Sequence, residues 1–580
     1  MTTLFRLVRA LLALLPAWLY GLRLSRRARR AKAIGSLRLN GTLREEVAPR
    51  RFSSDEGPPL FSLLRQLRLA GEDASVRGVS LRVGSLAGGW AQIEELRQQV
   101  EELRRKGRTV FAYLDRPGHA ELFLASACDH VTVAPMASVE LVGLRAEVSF
   151  FKGTLAKAGV TPHFEAAGEY KSYGETFTRE SMSPEAREAL DLVLGDIHDG
   201  FVAGLAAGRD LTPSRVQELV DGGPYSAEEA LEAGLLDAIE YPDAWRRSMR
   251  RALGDVVPEP GEPKTGATSR KERHQLVKLG RWLRPNQHLQ SLKRAISPKK
   301  AVVVLPLEGS IVDGDGPYAP AGRIAPRPTT SILRALRRDE GVGAVVLRIS
   351  SPGGSGLASD MMWRELKRLA RVKPLVVSMG NVAASGGYYL AMAGDEVIAD
   401  PLTITGSIGV VAGKFDIGEL LEKLGIKRDV LSYGKNSGMN SLTRGWTESE
   451  RERLRAHIEH FYEAFVGKAA ACRGVEYDEL AKHAEGRIWT GSQALERGLV
   501  DGLGTTWDAV RRAAVRAKLG ADYDVWLAAP QRPGLLARLR QLPLAGEMRA
   551  MARLEEQMGL DLWPVRDGVQ ARLPYGLTIK

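Results

Sequence analysis

The sequence has 580 residues, of which 44% are hydrophobic and 26% charged, and its formal net charge is +12. This length allows two or more domains with cores of their own. Two cysteines, Cys128 and Cys472, are too few for a disulfide framework, and the sequence has no zinc-finger spacing or RNA-binding signature, so the positive charge predicts no nucleic-acid partner.

The N-terminal residues 1–35 are predicted to anchor the chain at a membrane. An uncharged apolar run covers 10–22, and the segment 23–32 that follows is rich in Arg and Lys and has no acid. The run is shorter than the ~20 residues of a spanning helix, so a spanning helix, a signal-peptide core and an interfacial helix all stay open. For a spanning helix, the basic flank favours a cytoplasmic body.

Residues 36–254 alternate between short β-type runs and helical patterns. This alternation predicts an α/β fold with a largely parallel sheet. The expected strands and helices are Val79–Val83, Thr109–Leu114 and Val131–Ala134, and Gln92–Arg105, His119–Ala127 and Pro184–Ala206, respectively.

The rest of the chain divides into three segments. Residues 255–298 are rich in Pro, Gly and charge and are predicted to be a basic linker, with a helix over His274–Leu292 kinked at Pro285. Residues 299–525 form a second α/β region whose first strand is Ala301–Leu307. The extension 526–580 has a predicted helix at Pro543–Met558 and no recognisable chemistry.

The two α/β regions are copies of one another. Three stretches of the first region match three of the second: Val79–Val83 with Val345–Ile349, Ala125–Val131 with Ala391–Val397, and Ala230–Asp237 with Ala494–Asp501. Repeats of this length are duplicated domains. In the ungapped alignment Ser385 falls on His119, so only the second copy has a serine there.

Ser385 is the candidate nucleophile. It follows the predicted strand Leu375–Met379 and precedes two glycines and a small-residue helix, Tyr388–Gly394. Taken alone, such a serine is more often a turn or cap residue. A hydroxyl at a strand-to-helix turn is nevertheless expected to be exposed near a helix N-terminus, where developing negative charge is favoured.

A glycine-rich loop is the candidate oxyanion hole. The segment Ser350–Gly356 contains Gly353 and Gly354 and follows the predicted strand Val345–Ile349. Glycines let backbone N–H groups point at a ligand without obstruction. The matching loop of the first copy, Gly84–Gly89, keeps glycines too, so loop geometry alone explains part of the pattern.

A serine nucleophile needs a base, and none of the nine histidines lies in a convincing position. A lysine can serve if burial lowers its pKa. The candidate is Lys171, although most lysines are ordinary surface residues. Aligning the two copies places Asn436 opposite Lys171, and the neighbouring Lys435 is the rival.

The combined motifs resemble one family. They are Ser350–Gly354, Asn381–Tyr389, Thr405–Val410, Gly486–Gly491, and Tyr170–Ser172 with Met182–Glu188. Over residues 40–525 the chain resembles the long, duplicated form of the signal peptide peptidase A family of membrane-bound serine proteases.

The resemblance implies a Ser–Lys dyad divided between the copies, with Ser385 as nucleophile and Lys171 as general base. It places Ser407 beside the lysine amine. In the mechanism hypothesised for this dyad, the oxyanion accepts the backbone N–H of Gly354, in the loop with Gly353, and that of Gly386. The implied fold is two tandem Clp-protease/crotonase-like superhelical α/β domains. No metal or other cofactor is expected.

The same resemblance implies signal-peptide remnants and other apolar peptides as substrates. It also implies a dome-shaped homotetramer, anchored in the inner membrane by N-terminal segments with a periplasmic catalytic body. The basic flank 23–32 departs from that topology. A crotonase-like acyl-CoA enzyme and an inactive membrane scaffold are the alternatives.

Overall fold

The structure is a computed structural model that describes residues 32–45, 59–258, 273–283, 299–314, 316, 322–528 and 570–572. The strands are β1 (Ala33–Thr42), β2 (Val76–Ala87), β3 (Thr109–Leu114), β4 (His130–Val133), β5 (Ser138–Val139), β6 (Thr161–Ala167), β7 (Tyr225–Ser226), β8 (Ala238–Ile239), β9 (Gln275–Lys278), β10 (Ala301–Glu308), β11 (Ser310–Ile311), β12 (Arg323–Ile324), β13 (Val342–Ser351), β14 (Gly353–Ser355), β15 (Leu375–Ala384), β16 (Glu396–Ala399), β17 (Ile404–Gly406), β18 (Val410–Asp416), β19 (Ile488–Thr490), β20 (Gly502–Leu503), β21 (Asp524–Leu527) and β22 (Gln570–Arg572).

The α-helices within the described ranges are Leu60–Glu72, Trp90–Arg105, His119–Ala125, Lys152–Ala158, Glu175–Thr178, Pro184–Arg209, Pro213–Gly222, Ala227–Glu232, Pro242–Ala252, Pro326–Arg338, Gly356–Ala370, Gly386–Ala391, Gly418–Lys423, Glu448–Arg473, Tyr477–Ala481, Gly491–Glu496 and Thr506–Arg516. A 3₁₀ turn covers Ser172–Gly174.

The chain forms two compact units that do not follow the repeat boundaries. The first consists of residues 1–143 and 198–300, and the second of residues 144–197 and 301–580. The segment 144–197 lies in the first copy of the sequence duplication but packs with the second. Lys171 and Ser385 therefore belong to the same unit.

The first unit is built on a six-stranded parallel sheet in the order β8-β4-β3-β2-β1-β9. Parallel strands are covered on both faces and are expected to be apolar throughout. The middle of β2 is covered on both faces: Val79, Leu81 and Val83 on one face are fully buried, and Ser80 on the other is buried too, although it is polar. The predicted parallel α/β arrangement is confirmed for this unit.

The second unit contains a larger sheet with the path β19-β17-β15-β13-β10-β21, to which β16 and β20 add beside β15. All of its pairs are parallel except β17 with β19. β10 and β15 are buried along most of their length, and helices such as Gly356–Ala370 supply the other side of the core. The carboxyl ends of β13 and β15 lead directly into the glycine loop and Ser385.

A second sheet in this unit has the order β12-β11-β14-β22-β18-β6. β6 pairs with β18 in an antiparallel ladder along all seven of its residues, from Thr161 opposite Asp416 to Ala167 opposite Val410. This ladder brings the segment before Lys171 alongside the strand that follows Ser407.

The duplication is visible in matching side-chain contacts. Arg209 pairs with Asp237, which also accepts the backbone N–H of Val131 at 2.7 Å. In the second unit Arg473 pairs with Asp501 in the same way, and Asp501 accepts the N–H of Val397 at 2.7 Å. Each pair fixes a loop to the edge of a strand in its own unit.

The predicted secondary structure is largely confirmed, apart from differences of one to five residues at element ends. Cys128 is buried, as expected for a core residue, and burial raises the pKa of its thiol. The helix predicted over His274–Leu292 is wrong at its start, because Gln275–Lys278 forms β9 beside β1. Residues 279–283 are helical, and the rest of the predicted helix, with Pro285, lies outside the described residues. The β-branched and apolar residues of β9 gain more from ladder pairing than from an isolated helix.

Most of the predicted anchor lies outside the described residues, although Ala33 to Gly35, its last three residues, begin β1. The predicted helix Pro543–Met558 lies outside them as well. Among the helices that the structure describes, none is both long enough and apolar enough to cross a bilayer.

Candidate active site

Ser385 lies at the turn between β15 and the helix Gly386–Ala391. Its φ of +56° and ψ of −116° are unusual for a residue other than glycine, and strain of this kind persists only where the surrounding structure enforces it. Two hydrogen bonds hold the turn, from Ser385 N–H to Gly406 O and from Tyr389 N–H to Ser385 O. The predicted exposure of Ser385 is wrong: the residue is 0% exposed, because other parts of the site pack against its hydroxyl.

The glycine loop lies beside this turn. Ser351, at the end of β13, is opposite Ala383 of β15. A Cβ on Gly387 would lie 2.5 Å from Ser351 O, so the two backbones are in close contact. Gly354 has a φ of +147°, and a Cβ there would meet Ile311 O at 1.9 Å, so only glycine fits.

β6 and β18 bring Lys171 to the site. Because β6 ends at Ala167 opposite Val410, the chain reaches Lys171 next to the segment Thr405–Gly409. Ser407 has a φ of +51° and donates its backbone N–H to Arg487 O at 2.6 Å. This turn directs both Ser407 oxygens at the lysine.

Within the described part of the chain, the Lys171 amine makes three hydrogen bonds, all with serine oxygens. Its Nζ lies 2.8 Å from Ser385 Oγ, 2.9 Å from Ser407 Oγ and 3.0 Å from Ser407 O. Lys171 is 4% exposed and both serines are 0% exposed. Burial holds the pKa of this amine well below its ordinary value, because a charged ammonium loses its hydration there.

Two glycines that the sequence analysis did not single out hold Lys171 in place. A Cβ on Gly486 would lie 2.7 Å from the Lys171 backbone nitrogen and Cβ, and one on Gly168 would lie 2.6 Å from the backbone of Glu485. Tyr170 N–H donates to Glu485 O at 2.8 Å, and Gly486 N–H donates to Ile408 O at 2.8 Å. Gly486 opens one of the motifs behind the resemblance, and that was the available signal.

Arg487 packs outside the contact between Gly486 and Lys171. Its guanidinium lies 4.6 Å from the ring of Tyr170 and donates to the Tyr170 hydroxyl at 3.1 Å. It also forms an ion pair with Glu188 and stacks 4.7 Å from the ring of Trp489. These interactions fix the chain on both sides of Lys171.

Lys435, His119 and Gly386 lie in three different settings. Lys435 is exposed in the loop between the helices Gly418–Lys423 and Glu448–Arg473, whereas the amine on Ser385 Oγ belongs to Lys171. His119 is in the first unit, where its Nε2 accepts the N–H of Val142 at 3.1 Å and burial lowers its pKa. Gly386 is the first residue of its helix, a position whose N–H has no acceptor within the helix.

The arrangement is suited to acyl transfer. A hydroxyl within hydrogen-bond distance of a desolvated amine is the signature of an activated nucleophile. The glycine loop beside it supplies backbone donors of the kind that stabilise an oxyanion.

Comparison with known proteins points the same way. The family model for peptidase family S49, whose members have a Clp-protease-like fold, matches residues 102–255 and 367–520, one segment in each copy. The chain is 32% identical over 544 residues to "Serine protease SPPA, chloroplastic" of Arabidopsis thaliana, which covers 92% of this chain and 77% of that protein.

Two bacterial relatives differ in how much of the chain they cover. "Protease 4" of Salmonella typhi is 30% identical over 470 residues, 79% of this chain and 72% of that protein. "Putative signal peptide peptidase SppA" of Enterococcus faecium is 31% identical over 232 residues, 40% of this chain and 67% of that protein. With a duplicated α/β fold and both halves matched, this chain belongs to peptidase family S49 and is a serine protease of that family.

Proposed function

We propose that the protein is a membrane-associated serine endopeptidase in which Ser385 is the nucleophile and Lys171 the general base. The observation that carries the proposal is the buried contact of 2.8 Å between Lys171 Nζ and Ser385 Oγ. The exposed position of Lys435 supports Lys171 over its rival.

The three oxygens around the amine suit its neutral form. Neutral Nζ has two hydrogens and one lone pair. In the neutral form the two hydrogens donate to Ser407 O and Ser407 Oγ. We propose that the Ser385 hydroxyl, whose Oγ lies 2.8 Å from Nζ, then turns its hydrogen towards the lone pair. The lowered pKa of Lys171 favours this form at neutral pH, where an exposed lysine would be charged and unable to accept a proton.

In the proposed mechanism, Lys171 takes the Ser385 proton as Oγ attacks the substrate carbonyl. The oxyanion accepts hydrogen bonds from the backbone N–H of Gly354 and Gly386, with Gly353 shaping the loop. Ammonium Lys171 then protonates the departing amine, and water hydrolyses the acyl-enzyme. Ser407 keeps the amine directed at Ser385 throughout.

The proposed substrates are cleaved signal peptides and other apolar peptides. The Enterococcus faecium relative, whose name is "Putative signal peptide peptidase SppA", supports this substrate class. An apolar segment also suits the chemistry, because it displaces water and keeps the amine desolvated.

The proposed setting is the inner membrane, with residues 1–35 as anchor, a periplasmic body and a homotetramer. These features rest on the family resemblance and on the apolar run 10–22. The acyl-CoA and scaffold alternatives are not favoured, because the matched relatives are named as proteases.

The test is cleavage of a fluorogenic apolar peptide by wild type, Ser385→Ala and Lys171→Met. Each substitution is expected to lower kcat by about 10³-fold or more, since removing one member of a catalytic unit disables the whole. Lys435→Met and Ser437→Ala, on the exposed loop, are the matched controls and are expected to retain full activity.

Labelling provides a second readout. A fluorophosphonate is expected to modify Ser385 in wild type and to leave Ser385→Ala unlabelled. Loss of activity in Lys435→Met with full activity in Lys171→Met would reassign the base, and unchanged rates in all variants would reject the dyad.

A further inference from the structure

The strand β22, Gln570–Arg572, comes from the C-terminal extension and lies between β14 and β18. It is antiparallel to both of them. Gly353 is opposite Arg572, Gly354 opposite Ala571, and Ser355 opposite Gln570. On the other side, Gln570 is opposite Val411.

The two flanking strands carry the candidate site. β14 contains Gly353 and Gly354 of the proposed oxyanion loop, and β18 starts at Val410, shortly after Ser407. β22 also lies against the helix Gly386–Ala391, which begins next to Ser385. The C-terminal strand therefore occupies a position inside the site and completes the ladder across it.

The direction of β22 matches that of a substrate. Ser351 lies beside Ala383 and Gly387, so the chain approaches Ser385 as it goes back along β14 from Ser355 towards Ser351. Because β22 is antiparallel to β14, its carboxyl end points the same way. The acyl side of a substrate must run in this direction, since its last carbonyl has to reach the nucleophile and the oxyanion donors.

Backbone pairing of this kind recognises peptides without demanding one sequence. An extended peptide that adds a strand to a sheet gains affinity from main-chain hydrogen bonds. A strand supplied by the same chain also binds at a high effective concentration. β22 and a substrate peptide cannot occupy the same register between β14 and β18 at once.

We propose that residues Gln570–Arg572 are an intramolecular peptide ligand of the active site, which takes the place of the acyl-side segment of a substrate and competes with it. This inference rests on the proposed function and adds an inhibitor built into the chain. Substrate binds only to molecules from which β22 has left, so the apparent KM is raised by the inverse of that fraction. At saturating substrate β22 is displaced, so kcat is unaffected.

The main experiment compares two truncations of the full chain. Ending the chain after Val569 removes β22, whereas ending it after Arg572 keeps β22 and is the matched control. The shorter chain is expected to show a KM for an apolar peptide that is lower by about fivefold or more, with kcat unchanged within about twofold. The control is expected to behave as wild type.

A point substitution tests the same idea without truncation. Proline lacks the N–H that a central strand needs, so Ala571→Pro in the complete chain is expected to lower KM as the truncation does. Ala571→Val keeps the strand and serves as its control. A synthetic peptide of residues 566–572 is expected to inhibit the shorter chain competitively, and a peptide with the same residues in reversed order is not.

Three results would overturn the inference: an unchanged KM in both the shorter chain and Ala571→Pro, a folded shorter chain without activity, or Ser385-dependent removal of the tail from wild type. The last, detected by intact mass against Ser385→Ala, would make the strand a substrate. The proposed function fails separately, if the Ser385→Ala form of the shorter chain still cleaves peptide.

Discussion

At the scale of single residues, the decisive feature is a buried amine. Among the described residues, the hydrogen-bond partners of the Lys171 amine are all serine oxygens, and burial lowers the pKa of the amine. A lysine in water holds its proton at neutral pH and cannot act as a base. In the proposed mechanism this desolvation lets Lys171 act as a base, and that proposal has two measurable consequences.

The first consequence concerns the pH dependence of activity. Only neutral Lys171 accepts the Ser385 proton, so kcat/KM is expected to fall as pH drops through the lowered pKa of Lys171 in the free enzyme. The acid limb should lie well below the ordinary lysine pKa of about 10.4. A pH profile with a small peptide measures it, and an acid limb near the ordinary lysine value would contradict a desolvated base.

The second consequence concerns stability. The folded pKa of Lys171 is lower than the unfolded one, so between the two values the unfolded state binds more protons and wild-type stability rises with pH. Lys171→Met lacks this titration. The free energy of unfolding of Lys171→Met minus that of wild type is therefore expected to decrease as pH rises through this window.

Denaturant unfolding at several pH values measures that difference. Lys435→Met makes the same substitution at an exposed lysine of the same unit and is measured alongside as the matched control. A difference for Lys171→Met that is independent of pH would mean that the folded amine keeps an ordinary pKa.

At the scale of elements, the site depends on backbones that approach each other more closely than a side chain allows. The pairing of β6 with β18 fixes where Lys171 lies in the second unit, and the backbone at Gly486 packs directly against Lys171. The hydrogen bond from Gly486 N–H to Ile408 O ties that segment to the Ser407 turn. Glycine at 486 is thus a requirement of packing as well as of its φ of +77°.

Gly486→Ala is expected to move the Lys171 amine away from the Ser385 hydroxyl. Its Cβ would lie 2.7 Å from Lys171 backbone atoms, and a displacement of about 1 Å at a catalytic group can cost about 100-fold in rate. We expect a comparable fall in kcat with a smaller effect on KM.

Gly467→Ala is the matched control, because it lies within the helix Glu448–Arg473 and a Cβ there meets nothing within 4 Å. It is expected to leave kcat unchanged and to stabilise the helix slightly. Equal activities of the two variants would show that Lys171 does not depend on contact with Gly486.

At the scale of the whole molecule, the two sequence copies do not coincide with the two compact units. The segment 144–197 comes from the first copy and contributes Lys171, β6 and the chain around them to the second unit. Lys171 and Ser385, the proposed base and nucleophile, are therefore far apart along the chain but share one compact unit.

This division predicts that the covalent link between the copies is dispensable once the protein is folded. A protease site inserted between Lys299 and Lys300 and cut after folding leaves Lys171 and Ser385 on separate chains. We expect the cut protein to retain kcat, because the β6–β18 ladder and the contacts of Lys171 hold the segment in place.

Size-exclusion chromatography and peptide cleavage test this expectation. The fragment 301–580 expressed alone lacks Lys171 and β6 and is the control expected to be inactive. Activity in that fragment would show that another base, such as Lys435, can replace Lys171.

The sequence by itself determined the local architecture, because hydrophobic period and turn chemistry act over a few residues. It placed Ser385 between a buried strand and a small-residue helix, located the glycine loop at Gly353 and Gly354, and exposed the duplication. The motifs also identified the family, which the matches to both copies show.

Apart from what the family resemblance implied for Ser385, Lys171 and Ser407, only the tertiary structure decided which groups meet. Lys171 reaches Ser385 through a long-range ladder, and its pKa depends on burial that no local pattern encodes. The same holds for the close approach of Gly486 and for β22 between β14 and β18. Contacts between residues distant in sequence follow from how whole elements pack. Local periodicity could therefore indicate the candidate residues but could not predict which of them are in contact.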